Sequence, residues 1–155
     1  MTYEPHRILK FVLLNFTVMY PPELVQPMKE DLTSVGFQEL LTVEDVDNAI
    51  PTSKGVALVV VNSVCGCAAG NLRPGVKQSL SNGKLPHHLF TVFAGVDTAA
   101  TQQARNYFLP FPPSSPSVAL FKDGKLVHFL ERHNIEGVSA DLIAENLAAA
   151  YDEFC

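Results

Sequence analysis

Cys65 and Cys67 are two of only three cysteines in the chain, and Gly66 alone separates them. Thiols this close in sequence are a local chemical arrangement, not a staple across a fold. They follow VALVVV at 56–61, a run that predicts a strand buried on both faces. Residues 67–80 follow with Leu72, Val76 and Leu80 at helical spacing, and Pro74 is expected to kink that helix. Cys65 is therefore expected where a strand hands over to a helix. The first helical turn presents unpaired N–H groups and a partial positive charge. A thiol placed there ionises more readily, and the thiolate is the reactive form. The expected chemistry is thiol–disulfide exchange. Cys65, leading the motif and the more exposed, is the candidate nucleophile. Cys67 is the resolving thiol, and Gly66 permits tight backbone geometry between them. A disulfide spanning one residue is strained and easily opened. That suits exchange, isomerisation or capture of a mixed disulfide better than general reduction.

Two other readings use the same residues. Both cysteines could be buried, inert small hydrophobes. Alternatively they could be half of a metal site, since zinc takes four ligands. His87, His88, His128 and His133 are available by type, and Cys155 could supply a third sulfur, but no second Cys or His pair has zinc-motif spacing. Nothing else in the chain carries a recognisable site. There is no Ser/His/Asp order, no paired carboxylate, and no G-x-x-x-x-G-K phosphate loop.

The surrounding elements alternate between helix and strand. Helices are expected over 23–35, with Leu24, Met28, Leu32 and Val35 as the buried stripe, over 43–50 with Thr42 and Asp45 as a capping box, and over 98–108 capped by Asp97 or Thr98. The last helix, 138–154, should bury Leu142, Ile143, Leu147 and Tyr151, with Ser139 or Asp141 in its first turn. Strands are expected at 37–41, 56–61 and 89–96. A hairpin joins 117–122 to 125–130 around Asp123-Gly124, a strong turn signature. From residue 56 the order is that of a thioredoxin fold: three layers, α/β/α, around a mixed sheet. Ser115-Pro116 then falls where such folds carry a cis-proline facing the reactive cysteine. Ser115 and Pro116 are thus candidate substrate-binding residues, the Ser115 backbone pairing with an incoming peptide or thiol. The alternative is a simple loop terminator with a trans bond.

The whole chain has 155 residues, 47% hydrophobic and 17% charged, with a net charge of −5. That describes a single globular domain. The negative balance argues against nucleic acid and anionic membranes as partners, because both require a basic face. Residues 8–18 are apolar but shorter than the roughly 20 residues of a membrane-spanning helix. They lack a signal-peptide cleavage site. Residues 1–18 are read as an N-terminal extension, possible sequence upstream of a natural start at Met19, and 19–155 as the domain.

The stretch VVVNSVCGCAAGNLRPG at 59–75 resembles the signature of the bacilliredoxin family. So do residues 19–28 and 36–40, the SSPS loop at 114–117 and the Asp123-Gly124 hairpin. The resemblance covers residues 19–155. It implies a cytoplasmic bacterial protein that removes bacillithiol from mixed disulfides on oxidised, S-thiolated client proteins. Cys65 would attack the mixed disulfide and take up bacillithiol, to be freed by a second bacillithiol or by Cys67. Weak disulfide isomerase activity is also implied. Bacillithiol enters as a thiol co-substrate, and no tightly bound cofactor is expected.

Overall fold

A five-stranded sheet organises the chain because one strand, β2 (Val56–Asn62), is apolar on both faces and every residue of it is buried. Such a strand must be covered by helices on both sides. The computed structural model describes residues 20–155; the expectations for residues 1–18 and Met19 lie outside the described residues. The strand order is β1-β3-β2-β4-β5. β1 (Gln38–Glu39) and β3 (His88–Phe93) run parallel to each other and to β2, while β4 (Ser117–Lys122) and β5 (Lys125–Leu130) add antiparallel strands.

Alternation along β2 divides the core. Val56, Leu58 and Val60 face Leu32, Leu72, Val76, Ile143 and Leu147. These belong to helices α1 (Pro22–Thr33), α3 (Arg73–Ser79) and α5 (Ala140–Phe154) and to the turn that precedes α3. Ala57, Val59 and Val61 face Val46, Ile50, Ala100 and Ala104, on or beside α2 (Val43–Ala49) and α4 (Thr98–Asn106). The expected three-layer arrangement is therefore present. α3 lies close against α5: a Cβ on Gly75 would come within 2.8 Å of the Ile143 side chain, so this approach requires glycine.

Local signals explain most element ends. Thr42 and Asp45 form the expected capping box at α2, and the Ser139 side chain accepts from the Leu142 N–H at α5. Asp123 and Gly124 both have positive φ, 49° and 78°, as a two-residue type I′ turn requires. The Asp123 carboxylate also accepts from the Gly55 N–H at 2.7 Å, which ties the hairpin tip to the start of β2.

Three expectations are corrected. In α1 the buried residues are Val25 and Leu32, whereas Leu24 and Val35 are exposed. In α5 Ile143 is buried and Leu142 is 56% exposed. Spacing defines the period of an apolar stripe, but between adjacent apolar residues the neighbouring layer selects the phase. At α4, Asp97 makes no side-chain cap because its carboxylate binds Lys29 at 3.1 Å. Lys29 also pairs with Glu39 at 3.0 Å, which joins α1, β1 and the start of α4.

The helix after the cysteines is not simply kinked at Pro74. Residues 68–72 form a π-helical turn, and the Arg73 N–H bonds the Ala68 carbonyl five residues back. A new α segment starts at Arg73, with Pro74 in its first two positions. Pro74 has no N–H to donate, and at the start of a helix none is needed. The wide turn absorbs the change of register.

Candidate active site

β2 ends at Asn62, and after three intervening residues helical turns begin at Gly66. The Cys65 carbonyl accepts from the Ala68 and Ala69 N–H groups at 3.1 and 3.2 Å. Cys65 therefore occupies the capping position that its sequence context implies, with the Ala68 N–H favouring its thiolate. The Ser63 hydroxyl lies 3.1 Å from the Cys65 sulfur.

Burial opposes ionisation of Cys65. Hydrogen bonds from the Cys67 thiol, the Ser63 hydroxyl and the Ala68 N–H, together with the positive charge of Arg132, outweigh it and leave its pKa below the ordinary thiol value. Cys67 moves the other way: burial pushes it up, and so does its position beside the more acidic Cys65. Opposed pKa values give two adjacent thiols different roles. Exposure does not separate them, because both are half-buried. Gly66 is exposed, lacks positive φ and has open space where a Cβ would stand. Its backbone conformation is one that other residues also adopt.

A groove of about 340 Å³ opens at Cys65 and brings in Ser115, Arg132, Arg105 and Tyr20 from distant parts of the chain. The Ser115–Pro116 peptide is cis, as is Leu109–Pro110. Pro116 is buried, and Ser115 borders the groove. The Ser115 carbonyl accepts from the Arg132 guanidinium at 3.2 Å. A carbonyl has two lone pairs, so one remains for a ligand. Arg132 lies two residues past the end of β5 and pairs with Glu136 at 3.3 Å.

Beneath the cysteine loop, the buried Arg73 guanidinium donates to the Asn62 side-chain oxygen and the Ser63 carbonyl, both at 3.0 Å. It also pairs with Asp31 at 3.0 Å. The Asn62 amide donates to the Met28 carbonyl, and its oxygen accepts from the Ser63 N–H. Ser63, which touches the reactive sulfur, is thereby held from below.

The sequence reading missed Ser63, Arg73, Arg105 and Arg132. A polar Asn62 closing an apolar strand was a local cue to the Arg73 network. Nothing local pointed to Arg105 or Arg132, which only the fold brings to the groove. The four histidines considered as metal ligands bond elsewhere: His87 to the Val56 N–H, His88 to the Lys54 carbonyl, His128 to Asn146, and His133 to Glu131. Among the described residues no group of three or more His, Cys, Asp or Glu side chains is placed to hold a metal. Cys155 packs against the face of the core that contains α5, where burial pushes its thiol up. No helix of the described residues is long and apolar enough to cross a membrane.

The depressed Cys65 pKa makes a pH prediction. The thiolate persists until pH falls through the lowered value, so alkylation of Cys65 by iodoacetamide should reach half its plateau below about pH 8.5, the free-thiol value. Ser63→Ala and Arg132→Gln each remove a group favouring the thiolate and should move that midpoint upward. A wild-type midpoint at or above the free value would contradict the electrostatic description.

This fold and cysteine pair define a thiol–disulfide redox protein of thioredoxin type. The mitochondrial thioredoxin 3 structure of Saccharomyces cerevisiae matches it with a TM-score of 0.51 over 79% of this chain and 98% of that one, at 16% identity. The family model described as "Disulphide isomerase" matches residues 20–155. A bacilliredoxin of Cytophaga hutchinsonii is 60% identical over 87% of this chain and 99% of its own. One from Halalkalibacterium halodurans is 51% identical over 88% of this chain and 94% of its own. The chain belongs to the bacilliredoxin family.

Proposed function

We propose that the protein removes bacillithiol from mixed disulfides on oxidised client proteins. The Cys65 thiolate attacks the bacillithiol sulfur of the client–S–S–bacillithiol bond. That bond breaks, the client leaves as a thiolate and takes up a proton, and a Cys65–bacillithiol disulfide forms. A second bacillithiol then attacks this adduct and leaves as the symmetrical disulfide. Alternatively, Cys67 attacks Cys65, bacillithiol leaves, and two further thiols reduce the resulting Cys65–Cys67 disulfide. Forming the adduct removes the negative charge on Cys65, one of the causes that holds the Cys67 pKa up, so the resolving thiol becomes more acidic when it is needed.

The observation that carries this reading is the ionisable Cys65 sulfur at an open groove, with a poorly ionising Cys67 beside it. The bacilliredoxin relatives support the choice of thiol. A cytoplasmic setting is part of this proposal, and both named bacilliredoxins are bacterial. The Ser115 backbone and Pro116 are proposed to align the incoming disulfide beside Cys65.

Intact mass tests the reading. After mixing with a bacillithiolated client, Cys67→Ala should carry one bacillithiol on Cys65, with the client returned reduced. The description of the matching family favours a second reading, general disulfide isomerisation. Under that reading no small-thiol adduct accumulates, while a scrambled disulfide substrate is refolded.

A further inference from the structure

Among the described residues, Arg105 is a cation without a carboxylate. Of the arginines among the described residues, Arg73 pairs with Asp31 and Arg132 with Glu136. Arg105 has no acidic partner among the described residues; its one hydrogen bond is a long contact, 3.4 Å, to the Ser114 carbonyl. Its Nε is buried without a partner, as is the hydroxyl of Thr101, one turn earlier on α4. Burial pushes the Arg105 guanidinium below its ordinary pKa, and no acidic side chain among the described residues offsets it. Leaving buried donors unpaired is costly unless a ligand completes them.

Position gives these groups a use. Arg105 and Gly95 line the groove at Cys65 and also line a second cavity of about 350 Å³. That second cavity continues along α4 past Thr98, Thr101 and Asn106. A small thiol whose sulfur sits at Cys65 would run past Arg105 into this cavity, where Thr101, Gln102 and Asn106 offer polar groups beside an apolar wall of Leu109, Phe111 and Pro113. Arginine is suited to carboxylates because its planar fork matches them.

We infer that Arg105, with Thr101, forms a carboxylate-recognising subsite for the tail of the small thiol, so that the co-substrate taken up by Cys65 is selected for an anionic tail. This rests on the proposed exchange at Cys65 and adds what chooses the thiol.

The test holds the client constant and varies only the charge of the adduct. One reporter protein is loaded either with glutathione or with glutathione diethyl ester, which has a similar skeleton without free carboxylates. Wild type should release the glutathione-loaded reporter about tenfold faster, as expected for one charge-assisted hydrogen bond. Arg105→Gln should abolish the preference and Arg105→Lys restore part of it, with the alkylation midpoint of Cys65 unchanged because Arg105 does not contribute to its pKa. Exchange with no charge preference, or a preference that survives in Arg105→Gln, overturns the subsite and leaves the exchange function standing. An exchange-independent readout separates the two ideas. S-methylglutathione, but not its diethyl ester, should slow iodoacetamide modification of Cys65 in wild type and not in Arg105→Gln. If no reporter is released yet this protection is seen, the exchange reading fails and the subsite stands; without protection the subsite fails.

Discussion

Cys65→Ser is expected to release reduced client from a bacillithiolated substrate at least about a thousandfold more slowly than wild type. A serine hydroxyl does not ionise near neutral pH, so the groups around Cys65 have no anion to favour. Ser63, the Ala68 N–H and the Arg132 charge all act on the Cys65 sulfur. Cys67 replaces it poorly, because burial still pushes its thiol up when the Cys65 sulfur is absent. Quenched-flow samples read by intact mass check this. Cys67→Ser should keep the first transfer and lose only resolution through the intramolecular disulfide, and Cys155→Ser should change neither step. If Cys65→Ser keeps more than about a tenth of the rate while Cys67→Ser is inactive, the two roles are reversed.

The second large effect lies under the site. Arg73→Met preserves much of the side-chain volume but leaves the Ser63 carbonyl and part of the Asn62 oxygen without a donor. Each orphaned buried group costs about 1–3 kcal/mol, so a loss of about 3 kcal/mol in urea unfolding is expected. Asp31→Asn removes only the half-exposed partner, 45% accessible, and should cost less than about 1 kcal/mol. The pair of variants separates the buried hydrogen bonds from the surface charge. Arg73→Met should also raise the pH midpoint of Cys65 alkylation, because Ser63 is no longer held against the sulfur. Equal losses in the two variants would place the stabilising role of Arg73 in its ion pair with Asp31.

Much of the frame was legible because short-range physics dictates it. VALVVV at 56–61 has no polar face and must be covered on both sides. Thr42 with Asp45, and Asp123-Gly124, carry their hydrogen bonds and dihedral angles in local sequence. Cys65 belongs to the same class, since the end of a strand and the start of a helix put its sulfur among unpaired N–H groups. Stripe phases in α1 and α5 were not legible, because Leu24 against Val25, and Leu142 against Ile143, differ only in which neighbour faces them. The π-helical turn before Pro74 was missed for a related reason: proline marks where the ladder is interrupted, not how the register is restored.

The amino-acid sequence by itself determined the order of elements, the two reactive sulfurs and the helix start that makes one of them acidic, because each depends on residues within a few positions. Only the tertiary structure decided what surrounds those sulfurs. Arg105 comes from α4, Ser115 from the proline-rich loop and Arg132 from the end of β5, and they converge at the groove because β3, β2 and β4 lie side by side in the sheet. A charge acts through space, over distances that only folding sets. The Arg132 charge acting on Cys65, the lack of a carboxylate beside Arg105 among the described residues and the space beside them therefore belong to the fold.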